Sequence, residues 1–528
     1  MKDQGDGGAR RGLSRRRFLG SIGAGAAGAV TLGNGAGLLT GPAPASAATA
    51  TETFLAGRFG RMFNLPAFAK PTTFLTNALM DMGKPGGILD AGDNLAAGPV
   101  ALIFDPALNV NNPNNPTQTA GTTFFGQFLD HDVTFDTMSR LGRPTAPEAE
   151  VNSRTPALDL DSVYGAGPAG SPQLYQAADR AKFRIASGGQ FEDLPRSGDL
   201  SAVVADPRND ANVIISGLQC AFLLAHNRAV DLVRAQGATD TNDAFARARR
   251  LVTWHYQWMA LHEFLPQVVG QAMVDDVLAT GRRFYKPPMG AAFIPVEFQG
   301  AAYRMGHSMV RPSYRANLAG DNGSAFFALV FDSAHSTEAD PPDLSGGHRA
   351  GRRFVGWQTF FDFGDGEVRP NKLIDTKLSS PLFALPLSAI ASRDAPVALP
   401  QRTLLRHVTW MLPSGQAIAR QMGAPVLAPA DLRELAGYGL GLESSTPLFY
   451  YVLKEAELHA GGQRLGAVGG RIVAEVFIGL LQTDPASYLV KEPTWRPTLP
   501  RRDGTTSGPF RMTDFLTFAG VDPASRGQ

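Results

Sequence analysis

The chain has 528 residues, of which 44% are hydrophobic and 18% are charged. This length and composition exclude a disordered protein and allow a large core, either as one domain or as two or three merged domains. The formal net charge is +1, and it becomes about −3 without residues 1–47, because that segment holds six basic and two acidic residues. Neither value favours nucleic acid or an anionic membrane as a partner.

The N-terminus reads SRRRFLGSIGAGAAGAVTLGNGAGLLTGPAPASA and has the features of an export signal. Arg15 and Arg16 form a twin-arginine motif, a weakly hydrophobic Gly-rich run follows, and the small residues 45–47 end the segment. A membrane anchor or a chance basic tail is the alternative, but the apolar run is short for a stable span. The pattern predicts a Tat-type signal over 1–47 and a secreted or extracytoplasmic mature protein with no membrane span.

The first strong helical pattern follows a turn-rich stretch at 111–121 and reads FFGQFLDHDVTFD. In a helix, Gln127, Asp130 and His131 share one face, while Asp132 points elsewhere. Polar groups gathered on a buried face are costly unless they hold a ligand or each other. This face therefore indicates a site.

A second helix is predicted behind the sequence ADPRNDAN. Asp206 and Pro207 fit the N-cap and first-turn positions, and the apolar run that follows extends to about Gly237. Arg208 would then lie at the mouth of this helix. Cys220, the only cysteine, lies inside the apolar run, so an internal disulfide and a cysteine metal cluster are excluded and a packing role is expected.

Three further segments have helical periodicity, and strand signals are scarce, so the predicted fold is mainly α-helical. The three segments read NDAFARARRLVTWHYQWMALHEFLPQVVG, with a stop near Pro266, FQGAAYRMGHSMV and GGRIVAEVFIGLLQ. No second long apolar stretch is expected. Residues 335–353 are rich in Pro, Gly and charge and predict a surface loop with two solvated histidines. Residues 491–510 predict an irregular tail that packs against the rest.

Polar side chains from three segments could form a redox site. They are Gln127 and His131 on one helix, Arg208 at the start of another, and His307 in YRMGHSMVRP. A histidine without a charged neighbour could ligate haem iron, while a second histidine and an arginine on the opposite side could handle peroxide. Cleavage of the O–O bond needs a base to move a proton between the oxygens and a cation to stabilise the departing oxygen. Core histidines and an ion-paired arginine are the alternative, and the spacing alone does not choose among haem, another metal and plain structure.

Several motifs occur together in one order: FGQFLDHD, TPALDLDSVYG, ADPRNDAN with AFLLAHNR, YRMGHSMVRP and LPSGQ. In the order of these motifs the chain resembles the bacterial branch of the animal-type haem peroxidases, which belong to the cyclooxygenase and myeloperoxidase superfamily. The resemblance covers about residues 115–490. The resemblance implies a mainly α-helical domain at 48–528 with haem between helices and little β structure. It also implies an enzyme that reduces hydrogen peroxide and oxidises a small electron donor, with halides or thiocyanate as candidate donors.

The resemblance assigns roles around the haem residue by residue. His131 resembles the distal base, Gln127 a distal hydrogen-bonding group and Arg208 the distal cation. His307 resembles the proximal ligand of a haem b iron.

On the proximal side, Arg304 and Arg406 resemble arginines that pair with haem propionates or the proximal edge, with exposed salt bridges as the alternative. The proximal histidine of the family usually donates its other ring N–H to an Asn. The matching position here is Thr403, which can accept this hydrogen bond but has a shorter reach.

The same resemblance makes Asp132 one ligand of a structural calcium ion. Thr155, the carbonyl of Ala157, Asp159 and Asp161 would supply the other ligands. Oxygen atoms from alternate residues of an extended loop suit a hard cation of this size, and a cluster of carboxylates without a cation would repel itself. A solvated turn is the alternative.

The chain departs from the family at the positions that attach haem covalently. Members often form one ester from the Asp before the distal His and another from a Glu three residues after the distal Arg. Asp130 keeps the first carboxylate, but Ala211 occupies the second position, and Asp210 lies roughly 100° away round a helix. Asn212 stands where members with a sulfonium bond have a Met. At most one link, through Asp130, is therefore implied.

Two rival functions follow from the same resemblance. A fatty-acid oxygenase of the superfamily uses a tyrosine three residues before the proximal histidine, where this chain has Arg304; Tyr303 is one residue away and would face another direction. A non-catalytic, haem-bearing adhesion protein is the second rival, but no adhesive module or Arg-Gly-Asp triplet is present in the sequence.

Overall fold

The structure, a computed structural model, describes residues 57–335, 338–347 and 350–528. The predicted Tat-type signal lies outside the described residues. The signal and the domain boundary behind it stay predictions.

Helices dominate the described part of the chain, and the prediction of a mainly α-helical fold is confirmed. The longer α-helices span Thr73–Met82, Gly98–Phe104, Ala120–Val133, Val213–Ala235, Thr241–Met259, Gln271–Thr280, Leu399–Thr409, Gly415–Met422, Leu448–Ala460, Ala467–Thr483 and Met512–Ala519. Short helices of four or five residues span Asp161–Tyr164, Gly167–Gly170, Leu265–Val269, Val296–Gly300, Gly306–Met309, Tyr488–Lys491 and Pro523–Arg526.

The β structure of the described residues consists of small two-stranded sheets. Phe59–Gly60 pairs in parallel with Ile294–Pro295, and the antiparallel pairs are Asn114–Thr119 with Pro370–Lys372, Ala186–Ser187 with Glu192–Asp193, and Ser313–Asn317 with Phe326–Leu329. The strand at 114–119 lies in the stretch that the sequence predicts as turns. It is extended because the segment 370–372 pairs with it, a partner that local turn signals do not reveal.

The helix Val213–Ala235, called the long helix below, lies in the core. It packs against Thr241–Met259, Met512–Ala519 and the helix Ala120–Val133, and Cys220 is fully buried in it. By length and composition this helix could cross a membrane, and 83% of its most apolar window is buried inside the protein. The expectation of no further long apolar stretch was wrong, because a helix that packs on most of its surface is apolar all round.

The start of the long helix differs from the prediction. Residues Pro207–Asp210 form a separate 3-10 turn capped by Asp206, and the α-helix begins only at Val213. Asn212 is extended and its side chain accepts a hydrogen bond from the N–H of Ile215, so it acts as a second N-cap. Arg208 therefore lies in the turn before the helix.

Two other predicted helices also differ from the structure. Pro266 does not end its helix. A π-turn at Ala260–Phe264 shifts the register of the backbone hydrogen bonds. Pro266 therefore falls in the first turn of the helix Leu265–Val269, where its missing N–H costs no hydrogen bond. The predicted helix around His307 is broken at Ala301, where φ is −142° and ψ is −73°, into Val296–Gly300, a 3-10 turn and Gly306–Met309.

The predicted surface loop at 335–353 is exposed only in part. His335 is partly exposed and pairs with Glu338, as expected for a solvated histidine, while His348 lies outside the described residues. Leu344 and Arg353 are buried. The N–H of Val213 donates to the Leu344 carbonyl, and the N–H of Gly346 donates to the Ala211 carbonyl. The loop packs down because it satisfies backbone groups at the start of the long helix.

Candidate functional site

A cavity of about 730 Å³ lies among the helix Ala120–Val133, the turn at Arg208 and the segment around His307. This volume is in the range that holds a ligand or cofactor. Seven of the residues that the sequence assigns to a haem site line it, namely Gln127, Asp130, His131, Arg208, Arg304, His307 and Arg406. The structure thus brings together residues that are up to about 280 positions apart in the chain.

His131 lies in the last turn of its helix, which is held in the core by Phe128 and Leu129. Burial, assisted by the positive charge of Arg208, lowers the pKa of His131 to about 4, so the ring is neutral at pH 7. The Nδ1 atom lies 2.9 Å from Oδ1 of Asn209. Among the described residues, Nε2 has no hydrogen-bond partner. This nitrogen is available to a ligand.

Arg208 is held beside His131 by a carboxylate and two backbone carbonyls. Its Nε and Nη2 donate to the two oxygens of Asp206, at 3.0 and 2.8 Å. Its Nη1 and Nη2 also donate to the carbonyls of Thr134 and His131, each at 2.8 Å. Burial opposes ionisation of Asp206, yet Arg208 lowers the pKa of this carboxyl to about 2. The cation is therefore fixed in position and carries a permanent counter-ion.

His307 reaches the cavity from the short helix Gly306–Met309. Burial and the charge of Arg304 lower the pKa of His307 to about 3, so this ring is also neutral at pH 7. Its Nδ1 lies 3.4 Å from Oγ1 of Thr403, a long contact. The Thr403 hydroxyl donates to the Leu399 carbonyl at 3.1 Å, so its oxygen can accept from His307 Nδ1–H. Among the described residues, His307 Nε2 has no hydrogen-bond partner.

The two predicted propionate-binding arginines have different surroundings. Arg304 donates from Nε to the Gln299 carbonyl at 2.7 Å, and burial lowers its pKa. Arg406 pairs with Asp136 and lies 4.8 Å from the centre of the Trp410 ring. Among the described residues, the terminal nitrogens of Arg304 have no hydrogen-bond partner and so can meet a carboxylate, whereas Arg406 is already compensated.

The cavity wall fits haem on several counts. Two neutral histidines with available Nε2 atoms line it, and arginines supply partners for carboxylates. Part of the remaining wall carries apolar side chains: Met309, Leu382, Leu385, Ile390, Leu399 and Leu405. A Cβ added to Gly306 would meet no atom within 4 Å, so open space adjoins His307. An apolar macrocycle with two carboxylates and an iron that takes imidazole matches this donor set.

A cluster of three carboxylates includes Asp132 of the helix Ala120–Val133. Ligand atoms of Asp132, Asp159 and Asp161 all lie within 4.8 Å of one another. Burial and mutual repulsion raise the pKa of Asp132, and they raise that of Asp159 to about 7. Thr155 donates to Asp161 from its N–H and its hydroxyl, at 3.0 and 3.1 Å, and Ala157 lies in the same loop. Such a cluster is costly without a cation.

Asp132 points away from the cavity, as the helical spacing predicts. Its carboxylate accepts hydrogen bonds from the Leu160 N–H at 3.0 Å, the Ser162 hydroxyl at 3.1 Å and the Tyr256 hydroxyl at 3.1 Å. Leu160 has φ of +59°, a left-handed conformation that is rare for a residue with this side chain. The loop is therefore held in a turn around the Asp132 carboxylate.

The positions that depart from the covalent-attachment pattern also lie at the cavity. Ala211 and Asn212 line it, and Asn212 Nδ2 is 3.4 Å from Gln127 Oε1. Asp210 instead accepts from Arg196, at 2.9 and 3.2 Å, and does not line the cavity. Its carboxylate therefore has a different role from the missing Glu, which agrees with the angle expected on a helix.

Tyr303, the residue closest to an oxygenase tyrosine, lines the cavity but is engaged elsewhere. Its hydroxyl donates to the Gly126 carbonyl at 2.9 Å, and its ring is stacked on Phe298 at 4.6 Å between centres. Arg304 stands at the position that would carry the oxygenase tyrosine.

Sequence reasoning missed three side chains that organise the site. Asn209 contacts the His131 ring, Asp206 compensates Arg208, and Asp136 compensates Arg406. Asp206 lies two residues before Arg208 and Asn209 directly follows it, so their place in ADPRNDAN was the available signal. Asp136 lies in the same segment as His131, but its pairing with Arg406 spans 270 positions and has no local signal.

Comparisons with known sequences find similarity to peroxidases. Residues 136–326 match the family model of the animal haem peroxidases. Chorion peroxidase of Drosophila melanogaster is 28% identical over 206 residues, which cover 35% of this chain and 25% of that protein. Thyroid peroxidase of Canis lupus familiaris is 27% identical over 192 residues, covering 32% and 20%. The chain thus spans about a quarter or less of the length of these relatives.

Solved structures are similar over more of the chain. Peroxidase A from Dictyostelium discoideum has a TM-score of 0.56 and 15% identity, covering 88% of this chain and 93% of that one. A fatty acid alpha-dioxygenase from Oryza sativa has a TM-score of 0.51 and 15% identity, covering 83% of each chain. At this identity the likeness shows a shared fold.

Proposed function

Since this chain carries an animal haem peroxidase domain, we propose that it is an exported haem peroxidase, which reduces hydrogen peroxide and oxidises a small electron donor. One observation carries the proposal. His131 and His307 line the same cavity, each is neutral at pH 7, and each has an Nε2 without a partner among the described residues. One ring can ligate iron while the other acts as a base, and the placement of the sequence within the bacterial branch is part of the same proposal.

The chemistry divides among the residues of the cavity. Haem b, when bound, supplies the iron and the electrons that peroxide reduction requires. His131 Nε2 accepts the proton of the inner peroxide oxygen and passes it to the outer oxygen, and Arg208 stabilises the negative charge that develops there. Over a full cycle, one hydrogen peroxide and two donors that each give one hydrogen atom yield two water molecules and two donor radicals. With an anionic donor X⁻, one hydrogen peroxide, one X⁻ and one proton yield HOX and one water molecule.

Two residues would tune these groups. Gln127 lies on the face of His131, where its amide can hydrogen-bond a bound peroxide. Thr403 can accept the Nδ1–H of His307, which directs the Nε2 lone pair of that ring to the iron. Because the Thr403 contact is 3.4 Å, His307 receives less negative character than a shorter bond would give it.

The charges of the cavity support an anionic donor such as iodide, bromide or thiocyanate. Arg208, Arg304 and Arg406 line it, and Arg140, Arg143 and Arg402 add to them. A cleft lined by one sign of charge raises the local concentration of ions of the other sign. Asp130, Asp136 and Asp394 also line the cavity, and carboxylates pair with Arg208, Arg402 and Arg406. Arg304, Arg140 and Arg143 are therefore left to exert most of this attraction.

The test of the proposed function starts from the purified protein. We expect a Soret band and consumption of hydrogen peroxide that depends on an added donor, with iodide, bromide, thiocyanate and a phenol measured side by side. Oxygen uptake with a fatty acid, without peroxide, would instead support an oxygenase. Bound haem without turnover of any donor would support the adhesion protein.

Calcium is proposed for the cluster of Asp132, Asp159 and Asp161, with Thr155 and the carbonyl of Ala157 as further ligands. Three carboxylates in one group, of which Asp132 is buried and Asp159 and Asp161 are half-buried, and hydroxyl and carbonyl oxygens in the same loop are the donors that Ca²⁺ prefers. The cation would also remove the repulsion that raises the pKa values of the cluster.

Removal of calcium should lower the melting temperature and alter the haem spectrum together, because Asp132 adjoins His131 in the chain. A site held at about 100 times its Kd stabilises a protein by ~2.7 kcal/mol, which chelation would remove. Calorimetry and absorption spectra with and without chelator measure both effects, and Asp132→Ala should reproduce them. Asp503→Ala, at an exposed aspartate, is the control. No calcium by metal analysis and no change in Asp132→Ala would contradict the site.

The haem is proposed to be held by at most one ester, through Asp130, because Ala211 offers no carboxylate at the second position. In the unmodified protein, acid-acetone should extract haem partly or wholly. Peroxide cycling should increase the retained fraction, and Asp130→Ala should prevent that increase. Ala211→Glu should add a second attachment point and shift the Soret band to the red. Ala211→Gln should do neither, because Gln has the size of Glu but no carboxylate. Haem peptides with two ester links from the unmodified protein would refute this proposal.

Export is proposed on the twin-arginine motif at Arg15 and Arg16 and the small residues that end the segment. A pathway that carries folded proteins suits a chain whose cofactor is inserted before export. The mature protein is proposed to have no membrane span, since the apolar window of the long helix is mostly buried in the core.

A further inference from the structure

A buried asparagine links the His131 ring to two other polar groups. Asn209 is fully buried in the turn Pro207–Asp210. Its Nδ2 lies 2.8 Å from Gln219 Oε1 and 3.3 Å from the Ser162 carbonyl oxygen. Its Oδ1 lies 2.9 Å from His131 Nδ1. All three contacts lie in the core, where a mispaired polar group is costly.

The orientation of the Asn209 amide follows from its partners. The Ser162 carbonyl can only accept a hydrogen bond, so the NH2 group of Asn209 must face it. Turning the amide by 180° would set Oδ1 against the Ser162 oxygen and leave two buried acceptors facing each other. The amide oxygen is therefore directed at His131.

An amide oxygen accepts and does not donate, so the His131 nitrogen that faces it must carry a hydrogen. In a neutral ring this places the proton on Nδ1 and leaves the lone pair on Nε2. We propose that Asn209 is a positioning residue that sets this tautomer and directs Nε2 of His131 into the cavity as the proton acceptor. The proposal rests on the proposed peroxidase function, because only there does the lone pair have a task.

A neutral amide suits this role better than a carboxylate. When Nε2 accepts the peroxide proton, the ring becomes positive, and Asn209 continues to accept from Nδ1–H without a negative charge that would hold the second proton on the ring. The proton can then pass on to the outer oxygen. Asn209 thus orients His131 without trapping it as a cation.

The anchors of Asn209 tie the base to the rest of the fold. Ser162, whose carbonyl holds the amide, donates from its hydroxyl to Asp132 at 3.1 Å. Gln219 lies on the long helix and is buried. Thr134, one turn after His131, is buried with a hydroxyl that has no partner among the described residues. Among the described residues, only Asn209 is hydrogen-bonded to the His131 ring.

The test combines the position of the proton with the rate of reaction with peroxide. Neutron diffraction from a deuterated crystal of the haem-loaded protein at pH 7 should show deuterium on Nδ1 of His131 and none on Nε2. In Asn209→Ala, the reaction with hydrogen peroxide, followed by stopped flow, should slow by about 10- to 100-fold with unchanged haem content, since general acid–base catalysis contributes about 10²–10⁴. Asn209→Asp keeps an acceptor for Nδ1–H but adds a negative charge that holds the second proton on the ring, so its rate should also stay below that of the wild type.

Gln219→Leu is the structural control, because it removes a buried partner of Asn209 while the Ser162 contact still orients the amide. It should leave the rate within about 3-fold of wild type. Deuterium on Nε2 in the wild type, or equal slowing in Asn209→Ala and Gln219→Leu, would overturn the proposal. If Asn209→Ala does not fold, the neutron map of the wild type still decides it. A wild-type protein without turnover would refute the peroxidase function, while the map still tests the tautomer.

Discussion

Replacing His307 by Ala should abolish histidine-ligated haem in this protein. His307 lines the cavity, is neutral at pH 7, and has no hydrogen-bond partner at Nε2 among the described residues, so this nitrogen can take the iron. Removing the imidazole leaves the Thr403 hydroxyl, a poor iron ligand, beside the vacated position. We expect loss of the five-coordinate spectrum, a haem content well below one per chain and no measurable peroxidase activity.

The matched control is His262→Ala, because His262 is exposed and does not line the haem cavity. This variant should keep its Soret band and its activity. Adding imidazole to His307→Ala should restore part of the spectrum by filling the vacated space. An unchanged Soret band together with an unchanged peroxidase rate in His307→Ala would show that another residue ligates the iron.

Replacing His131 by Ala should slow the reaction with peroxide while leaving the haem in place. The ring is the general base nearest to Arg208, and general acid–base assistance is worth about 10²–10⁴ in rate. The second-order rate constant for hydrogen peroxide should therefore fall by at least about 100-fold. Stopped-flow mixing measures this fall directly, and the proximal histidine keeps the Soret band as a check on haem content.

Tyr303→Phe is the control for this second variant. The Tyr303 hydroxyl is hydrogen-bonded to the Gly126 carbonyl, so its loss should cost about 1 kcal/mol in stability and little in rate. A large loss of rate in Tyr303→Phe together with a normal rate in His131→Ala would reverse the roles of these residues and favour an oxygenase. If the wild type, His131→Ala and Tyr303→Phe all react with peroxide at the same rate, His131 is not the base.

Much of the cavity wall was accessible from sequence patterns and from the order of motifs. The i, i+3 and i+4 spacing of Gln127, Asp130 and His131 is a local property of a helix, and the structure has that helix. The placement of Asp132 on another side follows from the same geometry. His307 was recognised through its motif, and the predicted helix around it breaks at Ala301, because apolar periodicity does not register a local change of φ and ψ.

The hydrogen-bond partners were not accessible in this way. His131 and Asn209 are 78 positions apart, and His307 and Thr403 are 96 apart. Such contacts depend on how helices pack, and no local pattern specifies which of several polar side chains meets a given ring. The second cap at Asn212 was missed for a similar reason, since the loop around Leu344 pairs with the backbone there and stabilises its extended form.

By itself, the sequence determined the helical class, the polar face of the distal helix, the cap at Asp206 and the absence of a carboxylate at Ala211. Each of these depends on residue type or on neighbours within one or two helical turns. Only the tertiary structure decided that Asp206 compensates Arg208 and that Asn209 meets the His131 ring. These depend on burial and on distances between separate elements, and it is burial that makes the pairing of a polar group energetically decisive.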